Sequence, residues 1–229
     1  MGFTIDGLRE IRELRLPGRL PRRLIRNSVR MAVAEYTGLW GWDVTPGARA
    51  LRRGPGPGRP ECSCGRAECA SPGAHPLDPA LTITAGTPLR QALADWDRAP
   101  GASVLLPTGR GFDVIEVPCA PGRRALLRLE RIGLPLGPVA EAPHGRVWFF
   151  VAPGAAAQLP QLLYRMGWDD ALPQLRCLGP GGHITAPPCE YGGYGPVRWL
   201  RAPDLECAEP PPARLLVGAL AYVCHRAAG

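Results

Sequence analysis

Gly109-Arg110-Gly111-Phe112-Asp113-Val114-Ile115-Glu116-Val117-Pro118 reads as a tight turn followed by a core β-strand that carries two acids. Side chains alternate along a strand, so Phe112, Val114 and Glu116 share one face while Asp113, Ile115 and Val117 share the other. The two acids therefore point apart. A site that holds Mg²⁺ or Mn²⁺ for phosphoryl transfer needs carboxylates converging on one face, which on a strand means the spacing i, i+2. The residue two beyond Glu116 is Pro118, which offers no ligand atom.

Outward from this strand, Ser103–Leu106 is expected to pair with Phe112–Val117 as a β-hairpin across the Pro-Thr-Gly-Arg-Gly turn. Thr87 is placed to cap a helix beginning at Pro88, with Leu89, Ala92, Leu93 and Trp96 on one face and Pro100 as its stop. Downstream, a helix at 121–132 turns Ala125, Leu126, Leu129 and Ile132 inward. Strands at Pro138–Ala140 and Arg146–Val151, a helix at 155–166 despite Pro160, and short strands at Leu175–Cys177, Ile184–Ala186 and Val197–Leu200 follow. An apolar helix at 213–226 comes last. Upstream, residues 7–14 and 21–37 read as basic helices, Leu39–Val44 as a strand closed by Pro46, and 46–61 as an irregular loop. The sum is a loop-rich α/β protein with no internal repeat.

With 229 residues and 45% hydrophobic content, one substantial core is available, and the 29 glycines and 28 prolines punctuate periodic segments instead of forming a tract. All 27 basic residues are arginine, which together with abundant Ala, Gly and Pro suggests a GC-rich bacterial genome. The formal charge of +7 is uneven: residues 1–30 hold eight Arg against Asp6, Glu10 and Glu13, a net +5. A phosphate-bearing ligand or an acidic protein partner of these N-terminal helices is one use of that charge, a solvated face the other. No secretory leader pattern is evident, and the apolar run Leu215–Cys224 is too short to span a bilayer, so no membrane contact and a cytoplasmic location are expected. Eight cysteines there would stay reduced, and clustered ones read as metal ligands.

One cluster has that form: Cys62-x-Cys64-x4-Cys69-x5-His75. Three thiolates and one imidazole can close a tetrahedral Zn²⁺ shell, with Gly65 and Gly73 letting the chain turn back on itself. A full four-ligand set leaves no open coordination position, so the expectation is a structural zinc that orders a loop poor in apolar residues. Cys119, Cys177, Cys189, Cys207 and Cys224 show no ligand spacing.

Several features in order resemble the primase/polymerase domain found at the N-terminus of bifunctional replication proteins, a branch of the archaeo-eukaryotic primase superfamily. They are Tyr36-x5-Trp42-x-Val44-x-Pro46; the Cys62–Pro76 loop; Thr87, Trp96, Pro100 and Pro107-Thr108-Gly109; the strand Phe112–Val117; Leu129-Glu130-x2-Gly133-Leu134-Pro135; and Gly181-Gly182-His183-Ile184-Thr185-Ala186-Pro187-Pro188 with Tyr194 and Trp199. The resemblance covers most of 31–200. It implies an α/β (α+β) fold with a central, mostly antiparallel sheet flanked by helices in an RRM-like arrangement, a site using Mg or Mn, and DNA, RNA or nucleotide ligands. It also divides the chain into a basic helical arm at 1–30, a primase/polymerase-like domain at 31–205 with its zinc loop at 62–76, and a C-terminal helix at 206–229 packing on the domain.

At the site itself the sequence departs from the family. The Asp-x-Asp of the catalytic strand corresponds to Glu116-Val117-Pro118; the Gly-Gly-x-His corresponds to His144-Gly145-Arg146-Val147; and a third acid falls on Gln174, ahead of Leu175-Arg176. Glu116 is the sole retained acid and the only catalytic candidate. Asp113, Glu141, Asp169, Asp170 and Glu190 are the other available acids, but Asp113 faces away from Glu116 and the other four read as lying in loops. Arg146, Arg176 and His183 are the candidates for nucleotide or nucleic-acid contact, since guanidinium forks suit phosphate, and Tyr194 or Trp199 could stack a base. The chain ends at residue 229 without a fused helicase, so the favoured expectation is a stand-alone, catalytically inactive accessory that binds nucleotide or nucleic acid. The alternatives are an active metal-dependent polymerase with a divergent acid set, and a protein-interaction scaffold that binds no nucleic acid.

Overall fold

The computed structural model describes residues 22–51, 60–168, 174–205 and 209–228. Helix α1 (Arg22–Ala34) runs into a π-helical turn at Glu35–Leu39, and strand β1 (Thr45–Gly47) and the two-residue β2 (Ala50–Leu51) and β3 (Glu61–Cys62) follow. Next come α2 (Leu89–Trp96), β4 (Ser103–Pro107), β5 (Asp113–Pro118), α3 (Cys119–Arg131), β6 (Val139–Ala142), β7 (Arg146–Val151) and α4 (Ala155–Arg165). The chain closes with β8 (Arg176–Leu178), β9 (His183–Thr185), β10 (Arg198–Arg201), a 3₁₀ turn at Ala213–Leu215 and α5 (Val217–Ala228).

The strands form a five-stranded antiparallel sheet in the order β10-β6-β7-β5-β8, a three-stranded one in the order β1-β4-β9, and the ribbon β2-β3. This is the mixed α/β fold with antiparallel sheets flanked by helices that the resemblance implies. Period-two alternation sorts β5 between two cores. Phe112 and Val114 join Trp148 and Phe150 of β7, Val104 and Leu106 of β4, Ile184 of β9, and Trp42. Ile115 and Val117 join Val147, Phe149 and Val151 under α3, α4 and α5. Phe112, Phe149 and Phe150 are fully buried, each worth about 1.5–3 kcal/mol of transfer free energy. Edge and offset ring contacts at 5.2 Å (Trp42 to Phe112) and 4.5 Å (Phe112 to Phe150) seat β5 on the upper core.

Several local expectations give way to tertiary structure. The hairpin does not form: β4 is bonded on both edges, to β1 and β9, while β5 is bonded to β7 and β8. The intervening turn carries the chain from one sheet to the other, held by Thr108, whose amide donates to Gly182 O and whose hydroxyl donates to Gly179 O. Turn residues report a reversal, and the strands' free edges decide what pairs. The early strand lies later than Leu39–Val44, at Thr45–Gly47, because the helix continues through the π turn, where Tyr36 and Thr37 are both buried. Pro46 sits inside that strand instead of closing it. Thr87 caps nothing; its hydroxyl donates to Thr84 O, and α2 begins after Pro88. Ile132 is exposed just past the end of α3, whose inward face stops at Leu129. The irregular loop 46–61 contains β2, which pairs with β3, while 52–59 and the helix expected at 7–14 lie outside the described residues. Among the described residues no helix is long and apolar enough to cross a membrane.

Candidate functional site

Register places a charged cluster at the middle of the five-stranded sheet. Glu116 stands directly opposite Trp148 on β7 and Arg176 on β8, and Arg146 stands opposite Pro118, so all four positions share one face. Glu116 is 2% exposed. Its Oε1 accepts from Arg146 Nε at 2.9 Å and from Arg176 Nε at 2.6 Å, and its Oε2 accepts from Trp148 Nε1 at 2.7 Å. Burial pushes the carboxyl up, but Arg176, Trp148 and Arg146 outweigh it and hold Glu116 below the usual carboxylate range. Two guanidinium groups on one carboxylate leave one positive charge over. Arg146 is 22% exposed and Arg176 63%.

An aromatic pair lies beside this cluster. His144 stacks on Tyr191 with ring centroids 4.3 Å apart and planes 14° from parallel, and it sits 6.0 Å from Trp148. Burial holds the imidazole below its ordinary pKa, with Arg146 and Arg176 adding to that and Glu116 opposing it. Among the described residues its Nδ1 is buried without a hydrogen-bond partner. Arg146 Nη2 also donates to the Gln174 carbonyl at 3.3 Å, so the three segments singled out by the resemblance lie next to one another.

The remaining acids are occupied or elsewhere. Asp113 is fully buried on the opposite face, where its Oδ2 accepts from the Ala156 amide at 3.0 Å in the first turn of α4. Glu141 lies on β6, not in a loop, and accepts from Cys119 Sγ at 2.9 Å and from Arg123. Glu190 is exposed, and Asp169 and Asp170 lie outside the described residues. Val147, where the resemblance sets a histidine, faces the lower core beneath α3.

The second cluster is the cysteine loop. One ligand atom each from Cys62, Cys64, Cys69 and His75 lies within 4.8 Å of all the others. The Cys62 Sγ and His75 Nε2 are 3.3 Å apart, and the Gly73 amide donates to Cys62 Sγ at 3.4 Å. His75 Nδ1 is 2.7 Å from the Pro76 carbonyl, so Nδ1–H donation there fixes the tautomer and leaves Nε2 facing the thiols as an acceptor. Gly73 has a positive φ of 71° and lies against the Ala50 backbone, a close approach that any side chain would prevent. Four donors in this arrangement fit a metal ion and could hold one.

His183 belongs to this region: it starts β9 in the three-stranded sheet, and its Nε2 is 3.2 Å from the Ala74 carbonyl. Tyr194 is exposed, and Trp199 packs against Phe150 at 5.6 Å. Cys177, Cys189 and Cys224 are pushed up to about 12, 11 and 11, mainly by burial, which keeps them as inert thiols; Cys207 lies outside the described residues. Trp148 and Tyr191 do not stand out in the sequence as site residues. Trp148 carries one signal there: a tryptophan on the strand expected next to Glu116 brings a buried N–H that needs an acceptor.

These features define a mixed α/β domain with a buried, arginine-clamped acid on one face of an antiparallel sheet and a Cys/His cluster in a loop packed on the 183–193 segment. A family model described as "Bifunctional DNA primase/polymerase, N-terminal" matches residues 33–213, and the chain belongs to that family. Among curated proteins and among solved structures nothing matches.

Proposed function

We propose that this primase/polymerase-like domain binds a nucleotide or nucleic acid at Arg146 and Arg176, on the sheet face that carries Glu116, without catalysing nucleotidyl transfer, and works as an accessory or regulatory module. One observation carries the reading: the sole acid left at the site has its oxygens engaged by Arg146, Arg176 and Trp148. A divalent cation would have to displace those donors and stand beside two guanidinium groups. At an effective dielectric of about 20, like unit charges at about 4 Å repel by about 4 kcal/mol, and more for a dication. Pro118 and Gln174 supply no second carboxylate on that face to offset this. Phosphoryl transfer depends on metal ions that neutralise developing charge, so a site without them loses most of its catalytic means.

The same geometry favours binding of an anion. The surplus positive charge of Arg146 and Arg176 suits a phosphate, and the His144–Tyr191 stack presents flat rings next to it. In this reading residues 31–205 are the ligand-binding unit, 206–229 a C-terminal segment whose helix α5 packs on it, and the Arg-rich 1–30 an arm for an acidic partner. We assign zinc to Cys62, Cys64, Cys69 and His75 because a thiolate-rich, four-ligand, closed set suits Zn²⁺ and leaves no position for substrate.

Primer synthesis and primer extension with Mg²⁺ or Mn²⁺, together with oligonucleotide binding at low salt, test the proposal. The expected result is no product above that of Glu116→Ala, with binding weakened in Arg146→Gln/Arg176→Gln. Extension that disappears in Glu116→Ala would establish the divergent-polymerase alternative. No binding at low salt to either protein would favour the scaffold.

A further inference from the structure

On the opposite side of the five-stranded sheet, α3 and α5 pack together and leave a cleft of about 420 Å³ between them. It is lined by Arg124, Arg128, Tyr222, Val223 and Arg226. No carboxylate pairs with these three arginines among the described residues. The only acid on either helix is Glu130, and α5 carries none. Exposed arginines are ordinarily just solvated. Here three guanidinium groups converge on one concavity around an aromatic ring. The Arg128 guanidinium lies 5.4 Å from the centre of the Tyr222 ring, which remains 41% exposed, and Trp168 packs its edge against that ring at 6.5 Å. Buried Val223 forms an apolar floor.

We propose that this cleft binds single-stranded nucleic acid, with Arg124, Arg128 and Arg226 on phosphates and an unpaired base stacked against the Arg128–Tyr222 pair. The cleft has the volume of about one nucleotide-sized ligand. A duplex keeps its bases stacked inside and could use only the arginines, and an acidic peptide has no group that calls for the ring. An unpaired strand uses both. Because α3 and α5 cover the Ile115/Val117 face, a strand held here lies across the sheet from Glu116. The assignment does not depend on what binds at Arg146 and Arg176. The whole-chain charge count conceals this patch, because acids elsewhere offset it.

The test is fluorescence anisotropy of the full chain with a labelled oligothymidylate of about 12 nucleotides, titrated from about 50 to 200 mM salt. Arg124→Glu/Arg128→Glu/Arg226→Glu changes only exposed side chains, and circular dichroism confirms folding. It should lower affinity about tenfold or more and flatten the log–log salt slope by about 2, roughly 0.7 for each phosphate that is no longer neutralised. Tyr222→Leu should weaken binding about fivefold at an unchanged slope, as removal of stacking alone requires. An unchanged affinity and slope in the triple variant would overturn the proposal. So would displacement of the oligonucleotide by polyglutamate of equal charge as readily as by unlabelled oligothymidylate. If binding is instead abolished by Arg146→Gln/Arg176→Gln and untouched by the triple variant, this site fails while the reading of Arg146 and Arg176 as the ligand site stands.

Discussion

The cysteine loop and the Glu116 cluster are both groups of convergent polar side chains, and they are in opposite electrostatic conditions. In the loop, three thiols and an imidazole crowd within 4.8 Å with no cationic side chain among them. In the sheet, a buried carboxylate meets two guanidinium groups and an indole N–H supplied by neighbouring strands. The first arrangement could take up a cation from solution. The second already contains its counter-charge. Metal-binding capacity is therefore decided by which charges the fold leaves uncompensated, and counting acids in a motif does not reveal it.

The largest effect is expected from emptying the loop. Chelation, or Cys69→Ser, should raise amide exchange across residues 60–80 by about three orders of magnitude or more while the five-stranded sheet stays protected. Through the hydrogen bond between His183 and the Ala74 carbonyl the change should reach the 183–193 segment and alter Trp148 fluorescence by loosening Tyr191, which meets Trp148 edge-on at 5.9 Å. A chelated protein with unchanged exchange there would show that the loop orders itself without metal.

Removing the charge of Glu116 should come next. Glu116→Gln leaves Arg146 without its carboxylate and puts an amide opposite Trp148 Nε1. The expected destabilisation is about 2–4 kcal/mol in urea denaturation, less than for a fully buried pair because Arg176 reaches solvent. Its pH dependence follows from the depressed pKa. The contribution is fully present above the unfolded value of about 4.3 and is lost as pH falls through the lower folded value. Wild type should therefore lose stability on acidification below about pH 4.3 more steeply than Glu116→Gln. Equal slopes would mean that the clamp does not form in solution. The smallest effect is expected from Trp148→Phe, which keeps an aromatic ring but deletes one donor to a charged acceptor and the pyrrole half of a buried side chain, at about 1.5–3 kcal/mol by the same denaturation measurement.

Much of the fold is legible in the sequence because it rests on periodicity. Arg146–Val151 forms a strand at its expected bounds, α3, α4 and β6 lie within a few residues of theirs, and the separation of Asp113 from Glu116 follows from alternation alone. What the sequence hides is non-local. Nothing in Ser103–Leu106 says that both its edges are taken by β1 and β9, and nothing around Thr87 says that its hydroxyl turns back to Thr84. The site shows the same division. Spacing points to Cys62, Cys64, Cys69 and His75, which are close together along the chain. The cluster of Arg146, Trp148 and Arg176 around Glu116 depends on strand register across 30 to 60 residues. The Tyr191 stack on His144 depends on a loop path that no local pattern encodes.

The central claim is that Glu116 is neutralised from within and holds no catalytic cation. Electron paramagnetic resonance of Mn²⁺ titrated into the zinc-loaded full chain with a nucleoside triphosphate tests it most directly. The account predicts the same protein-bound Mn²⁺ signal for wild type and Glu116→Ala. A bound Mn²⁺ that is present in wild type and absent in Glu116→Ala would contradict it.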